Sequence, residues 1–241
     1  MKSSFIAPDW PAPANIRALQ TTRNGGFSLP PYNSLNLGVH VGDDPMLVER
    51  NRNFLNSHLP SEPVWLEQVH GTDVVLAETG GCRPRADACV THKANAVCVV
   101  MTADCLPVLL CDQAGTVVGA VHAGWRGLLD GIVESTVQAM NVPGATLLAW
   151  LGPAIGPDAF EVGVEVHDAF MQHDAKAATA FLLCGDKYLA NLYTLARLRL
   201  AALGVTRVYG GDFCTYTDAD SFFSYRRDGR SGRMASLIWR S

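Results

Sequence analysis

The chain has 241 residues, of which 48% are hydrophobic and 17% are charged. That balance excludes an intrinsically disordered chain and a coiled coil. A net charge of −4 at pH 7 also excludes a global positive field for nucleic acid, so no nucleic-acid partner is expected.

The N-terminal half is predicted to hold one helix followed by five strands. Asp43-Asp44-Pro45 is typical of a helix start, because aspartate caps free backbone N–H groups and proline fits the first turn. That helix would continue to about Ser57. Short runs of apolar and β-branched residues predict strands at Val64–Val69, Asp73–Ala77, Ala96–Met101, Leu106–Cys111 and Thr116–Val121.

The C-terminal half is predicted to hold two helices among three strands. One helix is expected from Gly124 to Met140. The clearest helix is Lys187–Leu203, which has apolar side chains along one face and Gly204 at its end. The strands are expected at Ala145–Leu151, Val205–Tyr209 and Met234–Trp239.

The order of these elements favours an α+β fold with a mostly buried mixed sheet over a regular doubly wound fold, because strands and helices do not alternate strictly. The chain shows no linker, low-complexity run or repeat, so we expect one domain over residues 1–241. Asp228-Gly229 is typical of a tight turn, which predicts that Arg226 and Arg227 lie in a solvent-exposed hairpin.

Two observations predict a cytoplasmic protein with no membrane partner. The N-terminus lacks the apolar stretch of a signal peptide, and the most apolar window, Ala96–Cys111, is too short and too polar to span a bilayer. None of the seven cysteines is spaced as CxxC. We therefore expect free thiols in a reducing compartment.

Three segments carry residues able to bind a metal. They are Trp65–Gly71 with His70, Met101–Pro107 with Cys105, and Ala120–Gly127 with His122. In each segment, that residue is expected just beyond the end of an apolar strand, where side chains project into clefts. His70, Cys105 and His122 are therefore the candidate functional triad.

Two chemistries remain open for this triad. Two imidazoles and a thiolate suit Zn²⁺ and leave a fourth position open, where a bound water has its pKa lowered to about 7. Alternatively, Cys105 and His122 could form a thiolate–imidazolium nucleophile pair, with Asp104 or Gln68 as helper. The spacing along the chain does not separate these two interpretations.

The chain resembles the YfiH/PgeF family. The resemblance is carried by the three segments above together with TTRNGG, SLNLGVHVGDD, LGPAIGPDAFEVG and FFSYRRDGRSGRMASLIW, and it extends from about Trp10 to Trp239. It implies a single α+β domain of mixed β-layers flanked by helices. It also implies that His70, Cys105 and His122 are zinc ligands.

The family was long labelled polyphenol oxidase or laccase domain, which would imply an oxidoreductase. A blue-copper oxidase needs many paired histidines, and none of the seven histidines here is paired as HxH. A site with two histidines and one cysteine could still accept Cu²⁺, which outcompetes Zn²⁺ for such ligands. Weak copper-dependent oxidase activity is therefore expected only as a side reaction.

The resemblance implies a purine nucleoside phosphorylase that also has adenosine deaminase activity. The expected substrates are adenosine, inosine and methylthioadenosine, with phosphate. Arg23 and Arg126 are candidates for holding phosphate, because guanidinium groups bind its oxygens in pairs. Gln68 is a candidate for a hydrogen bond to substrate. Asp104 is the candidate proton shuttle beside the ligand Cys105.

Two other functions are weighed beside this one. The family is linked to peptidoglycan editing, so a cysteine amidase that acts on a UDP-MurNAc peptide through Cys105 and His122 is the first alternative. The second is a non-enzymatic binding module that the metal stabilises. His40, which lies in the segment LGVHVGDD, is considered as a further acid or base but ranks below the triad.

Overall fold

The computed structural model describes residues 3–79, 81 and 83–241. It contains thirteen strands, which are β1 (Phe5–Ile6), β2 (Ile16–Thr21), β3 (Val74–Leu76), β4 (Ala88–Thr91), β5 (Cys98–Thr102), β6 (Leu106–Asp112), β7 (Val118–Ala123), β8 (Leu147–Leu151), β9 (Glu161–Val162), β10 (Phe181–Cys184), β11 (Lys187–Ala190), β12 (Arg207–Gly210) and β13 (Met234–Arg240). The α-helices are α1 (Pro45–Asn56), α2 (Trp125–Asp130), α3 (Ile132–Met140), α4 (Val164–His173), α5 (Leu192–Ala202) and α6 (Tyr225–Asp228). Two short 3₁₀ helices occupy Gly144–Thr146 and Ala175–Ala180.

The largest sheet has six strands in the order β12-β8-β6-β7-β4-β3. Its inner strands β8, β6, β7 and β4 pair antiparallel, whereas the outer strands β12 and β3 each join in parallel. The sheet is thus mixed, as the sequence predicts.

A second sheet of four antiparallel strands, in the order β1-β2-β13-β5, packs on one face of the large sheet. Side chains of successive strand residues point to opposite faces. Along β5, Val100 therefore packs towards the large sheet against Leu109 and Trp150, whereas Val99 packs on the other side against Leu55 of α1.

Helices cover the opposite face of the large sheet. Leu128 of α2, Ile132 of α3 and Leu200 of α5 are fully buried there against alternate residues of β6 and β7. The layers therefore run from α1, through the small and the large sheet, to α2, α3 and α5. Mixed β-layers flanked by helices were expected, and this part of the prediction is confirmed.

A separate three-stranded antiparallel sheet, β10-β11-β9, lies beside the helical layer. Its presence corrects the predicted helix Lys187–Leu203. The first four residues form strand β11, and the helix begins only after Asn191, whose side chain accepts a hydrogen bond from the N–H of Thr194. Leu189 continues the apolar spacing of α5, but in β11 it lies on the opposite face from Tyr188 and Ala190, which pack against the core.

Three other predicted elements differ from the structure. The helix from Gly124 to Met140 is divided at Gly131, which has φ of +105° and both ends α2 and begins α3. The predicted strand Val64–Val69 makes only two isolated bridges, at Val64 and Glu67. The hairpin predicted at Asp228-Gly229 is wrong, because residues 225–228 form helix α6.

The state of the cysteines and the character of the helices bear on the predictions of free thiols and of no membrane partner. Six cysteines are free thiols, and Cys82 lies outside the described residues. Among the residues that the structure describes, no helix has the length and apolar character needed to cross a bilayer.

Candidate metal centre

His70, Cys105 and His122 converge at one point. The candidate ligand atoms of these side chains all lie within 4.8 Å of one another. The Cys105 Sγ atom is 3.7 Å from His70 Nε2, and the two imidazole rings have centroids 4.8 Å apart. Residues that are 35 and 17 positions apart in the chain thus form the cluster that the sequence predicts.

Each member of the triad is held by a different backbone feature. His122 lies inside β7 and is buried, so it does not follow the strand as expected. Cys105 lies in the short turn between β5 and β6, after Asp104, which has φ of +91°. His70 lies in a loop and also has a positive φ, of +62°. Non-glycine residues rarely adopt these angles, which points to a backbone constrained by its surroundings.

The buried carboxylate of Asp87 contacts two of the three segments. It accepts hydrogen bonds from the backbone N–H groups of Val69, His70 and Gly71, at 3.1, 2.9 and 2.7 Å. Its Oδ1 atom also lies 2.7 Å from Nδ1 of His122. Burial alone would raise the pKa of Asp87, but these hydrogen bonds lower it below its usual value. The ionised carboxylate therefore keeps a proton on Nδ1 of His122, so Nε2 is the ring nitrogen left to bind a metal ion once it has lost its own proton.

The triad is strongly coupled in its protonation. Burial raises the pKa of a thiol, but the neighbouring His122 and His70 outweigh it and lower the pKa of Cys105 to about 6. Burial lowers the pKa of an imidazole, but Cys105 and Asp87 raise the pKa of His122 to about 9. Near neutral pH, the metal-free triad therefore favours a thiolate beside an imidazolium. The thiolate is also the form of cysteine that binds metals.

The donor set and the space around it fit a metal ion. Two imidazoles and one thiolate are ligands that Zn²⁺ and Cu²⁺ accept. Gly124 permits the close approach, since a Cβ atom at that position would lie 2.8 Å from His70 Cδ2 and 3.2 Å from Cys105 Sγ. His70, Cys105 and His122 are the one cluster of this kind among the described residues.

The triad opens into a cavity of about 570 Å³. Apolar, aromatic, polar and charged side chains of both signs line it, namely His40, Leu66, Glu67, Gln68, His70, Arg83, Met101, Ala103, Cys105, His122, Tyr225 and Arg233. Sequence analysis did not single out Arg83, Tyr225 or Arg233. It also missed Asp87, for which the one available signal was an acidic residue directly before an apolar strand.

Gln68 lines this cavity, but its amide group is engaged with the backbone of Met101. The side-chain oxygen accepts from the Met101 N–H at 2.7 Å, and the side-chain nitrogen donates to the Met101 carbonyl at 2.8 Å. This pair of bonds ties the His70 loop to β5.

Asp104 is half-buried, and both oxygens of its carboxylate have partners. Oδ1 accepts from the Thr215 hydroxyl at 2.6 Å, and Oδ2 accepts from the backbone N–H of Arg226 at 2.7 Å. Asp104 thereby ties the turn that carries Cys105 to α6, which also holds the cavity residue Tyr225.

Arg23 and Arg126 are not among the residues that line the cavity. The Arg23 guanidinium donates to the carbonyls of Asn33 and Ala219 and lies 4.8 Å from the ring of Phe223. The Arg126 guanidinium lies 4.3 Å from the ring of its neighbour Trp125. The structure thus does not bring either arginine to the triad.

A family model described as multi-copper polyphenol oxidoreductase laccase matches residues 17–241. The chain belongs to that family. A protein of Shigella flexneri named purine nucleoside phosphorylase YfiH is 59% identical over 240 residues, which are 98% of this chain and 99% of that protein. A Pseudomonas aeruginosa protein named purine nucleoside phosphorylase PA4543 is 54% identical over 239 residues, 98% of each chain.

Solved structures agree with this assignment. Neisseria meningitidis protein NMB0706 superposes with a TM-score of 0.96 at 55% identity, over 99% of this chain and all of that one. YlmD from Geobacillus stearothermophilus superposes with a TM-score of 0.93 at 31% identity, over 100% of this chain and 97% of that one. The family resemblance drawn from the sequence motifs is confirmed.

Replacing Asp87 with asparagine should weaken metal binding about 10- to 100-fold, because the variant loses the anion that orients His122 and the His70 loop. It should also lower the free energy of unfolding by about 1–3 kcal/mol, since asparagine keeps only one acceptor oxygen and some of the buried N–H groups lose their partner. Zn²⁺ affinity is measured by competition with a chelator, and stability by denaturant titration.

Asp112 offers a matched control. It is buried at the end of β6 and accepts from the N–H groups of Thr116 and Val117 and from the Thr116 hydroxyl, without touching the triad. Asp112→Asn should lower stability similarly but leave Zn²⁺ affinity unchanged. Equal losses of affinity in the two variants would contradict a specific role of Asp87.

Proposed function

We propose that the chain, as one catalytic domain over residues 1–241, is a zinc-dependent enzyme of purine nucleosides. Its main reaction is the phosphorolysis of adenosine, inosine and methylthioadenosine to the free base and ribose 1-phosphate. Adenosine deamination is a second activity. The observation that carries this proposal is the His70–Cys105–His122 cluster, which opens into a cavity of nucleoside size. The names of the relatives support the choice of purine nucleosides.

In this proposal, the two imidazoles and the Cys105 thiolate hold the metal, which is Zn²⁺ with Cu²⁺ as a second candidate. A zinc ion in such a site supplies Lewis acidity and lowers the pKa of a bound water. Nε2 of His122, after loss of its proton, and the Cys105 thiolate are the atoms that would bind the ion, and Asp87 orients the His122 ring for this contact. Copper at this single cluster would support oxidase activity only as a side reaction.

Phosphorolysis requires a nucleoside and phosphate to be held together. An oxygen of phosphate forms a bond to C1′ of the ribose as the C1′–N9 bond breaks. The electron pair of that bond passes to the purine, which then takes up a proton. The apolar side chains of Leu66, Met101 and Ala103 line the cavity and provide surface for the base and ribose. Positive groups must hold the phosphate.

Deamination replaces the 6-amino group of adenosine by an oxygen from water and releases ammonia. We propose Asp104 as the residue that moves the proton in this step, because it directly precedes Cys105. Since both of its oxygens accept hydrogen bonds, the transfer requires the Thr215 or the Arg226 contact to open.

A substrate panel tests these activities. Adenosine, inosine and methylthioadenosine are incubated with and without phosphate, and the products are separated by chromatography. We expect free base and ribose 1-phosphate only with phosphate, and inosine plus ammonia from adenosine without it. Cys105→Ala should abolish both reactions, whereas Cys184→Ala, which changes an exposed cysteine outside the cavity, should retain them.

The same panel tests Asp104 and the main proposal. Asp104→Asn should slow ammonia release about 100-fold or more if Asp104 transfers the proton, and unchanged release would contradict that role. The main proposal fails if no nucleoside is converted while a UDP-MurNAc peptide is cleaved.

A second candidate function is a cysteine amidase that acts on a peptidoglycan precursor. The observation that favours it is that the Cys105 thiol interacts with His122, and also lies 3.7 Å from His70 Nε2, which is the arrangement of a nucleophile and its base. In that case Cys105 would attack the substrate directly, and no metal would be required.

Alkylation separates the two candidates. Iodoacetamide labelling of Cys105 is followed by peptide mass spectrometry, with the exposed Cys184 as the internal reference for reagent access. A metal ligand should be protected until a chelator removes the ion, and labelling should then rise about 10-fold or more, since its thiolate is no longer coordinated. If the purified protein is labelled rapidly, and added Zn²⁺ does not slow this labelling, the amidase is favoured.

A further inference from the structure

Two guanidinium groups line the cavity that contains the metal-ligand triad. They belong to Arg83, which is exposed, and Arg233, which is half-buried and directly precedes β13. Among the described residues, neither forms an ion pair with a carboxylate. A half-buried cation such as Arg233 is costly without a counterion, so Arg233, with Arg83 lining the same cavity, indicates a site for an anion.

Arg233 is held in place and still has free donors. Its backbone N–H donates to the Asn36 side chain at 2.9 Å, and its aliphatic stem packs closely over Gly38. Its Nη1 atom donates to the carbonyls of Ser231 and Gly232, each at 3.0 Å. No protein acceptor is found for Nε and Nη2 in the described part of the chain. These two atoms form one edge of the guanidinium, which matches two oxygens of a phosphate.

Charged groups of both signs surround Arg233 and its neighbour His40. Burial and the neighbouring Arg233, Arg83 and Arg52 all lower the pKa of His40, so this imidazole is neutral near pH 7 and can donate one hydrogen bond. Glu67 is the acidic side chain that lines the same cavity, and Asp104 and Cys105 act on Arg233 from the side of the triad. Arg83 and Arg233 are thus the two guanidinium groups on the cavity wall, and the neutral His40 is a further hydrogen-bond donor there.

We propose that Arg233 and Arg83, with His40 as an additional donor, form the binding site for inorganic phosphate. The inference rests on the proposed phosphorolysis and specifies where its second substrate is held. It places the phosphate at residues other than the sequence candidates Arg23 and Arg126, which are not among the residues that line the cavity. In this arrangement, phosphate and the metal centre occupy the same cavity, so a nucleoside bound there is next to both.

The test uses Arg233→Gln and Arg83→Gln in the zinc-loaded protein. Arg207→Gln is the matched control. Arg207 is an exposed residue of β12 that does not line the cavity, so this change removes one positive charge elsewhere on the protein. With inosine as substrate, we expect the KM for phosphate to rise about 10- to 100-fold in Arg233→Gln and less in Arg83→Gln. The KM for inosine should change less than about 3-fold. Arg233→Lys keeps the positive charge but loses the pair of N–H donors on one edge of the guanidinium. Its KM for phosphate should therefore lie between that of Arg233→Gln and that of the unchanged protein.

Binding of inorganic phosphate is also measured without turnover, by isothermal titration calorimetry, and folding is checked by thermal unfolding. Phosphate affinity that is equal in Arg233→Gln, Arg207→Gln and the unchanged protein would overturn the proposal. It would also be overturned if inosine 5′-monophosphate bound through Arg233 while free phosphate did not. If phosphate binds through Arg233 but no nucleoside is converted, the phosphate site stands and the proposed phosphorolysis fails.

Discussion

The Asp87 carboxylate is the interaction on which the metal centre depends. It accepts the N–H groups of three consecutive residues around His70 and the Nδ1 proton of His122, and it is fully buried. Without this anion, three backbone donors would be unpaired in the interior, and the His122 ring would lose the contact that orients it. One buried charge therefore determines the position of two imidazoles that come from a loop and a strand.

The stacked sheets explain why the site forms where it does. The β6–β7 pairing places Pro107 opposite His122, so the turn before β6 brings Cys105 to the same end of the large sheet. The small sheet contributes β5, which leads into the turn with Cys105, and β13, which directly follows Arg233. The triad and the basic side chains thus face one cavity, to which both sheets contribute. The cavity combines thiol and imidazole groups able to bind a metal with positively charged guanidinium groups.

The sequence predicted the cluster of His70, Cys105 and His122, because cysteine and histidine stand out beside apolar strands and glycines. It predicted most central strands for the same reason, since buried β6, β7 and β8 are continuous apolar runs. It did not reveal Asp87, Arg83 or Arg233, because their roles depend on long-range contacts that leave no local pattern. The same limit explains β11, whose Leu189 continued the apolar spacing of α5. It also explains why the contacts of Arg23 with Asn33 and Ala219 were not foreseen.

The most direct test of this account is zinc X-ray absorption spectroscopy of the purified protein. We predict a zinc ion with two imidazole nitrogens at about 2.0 Å, one sulfur at about 2.3 Å and one further light atom from solvent. In Cys105→Ser the sulfur contribution should disappear. A spectrum without sulfur, or one with four protein donors around the ion, would contradict an open site built from His70, Cys105 and His122.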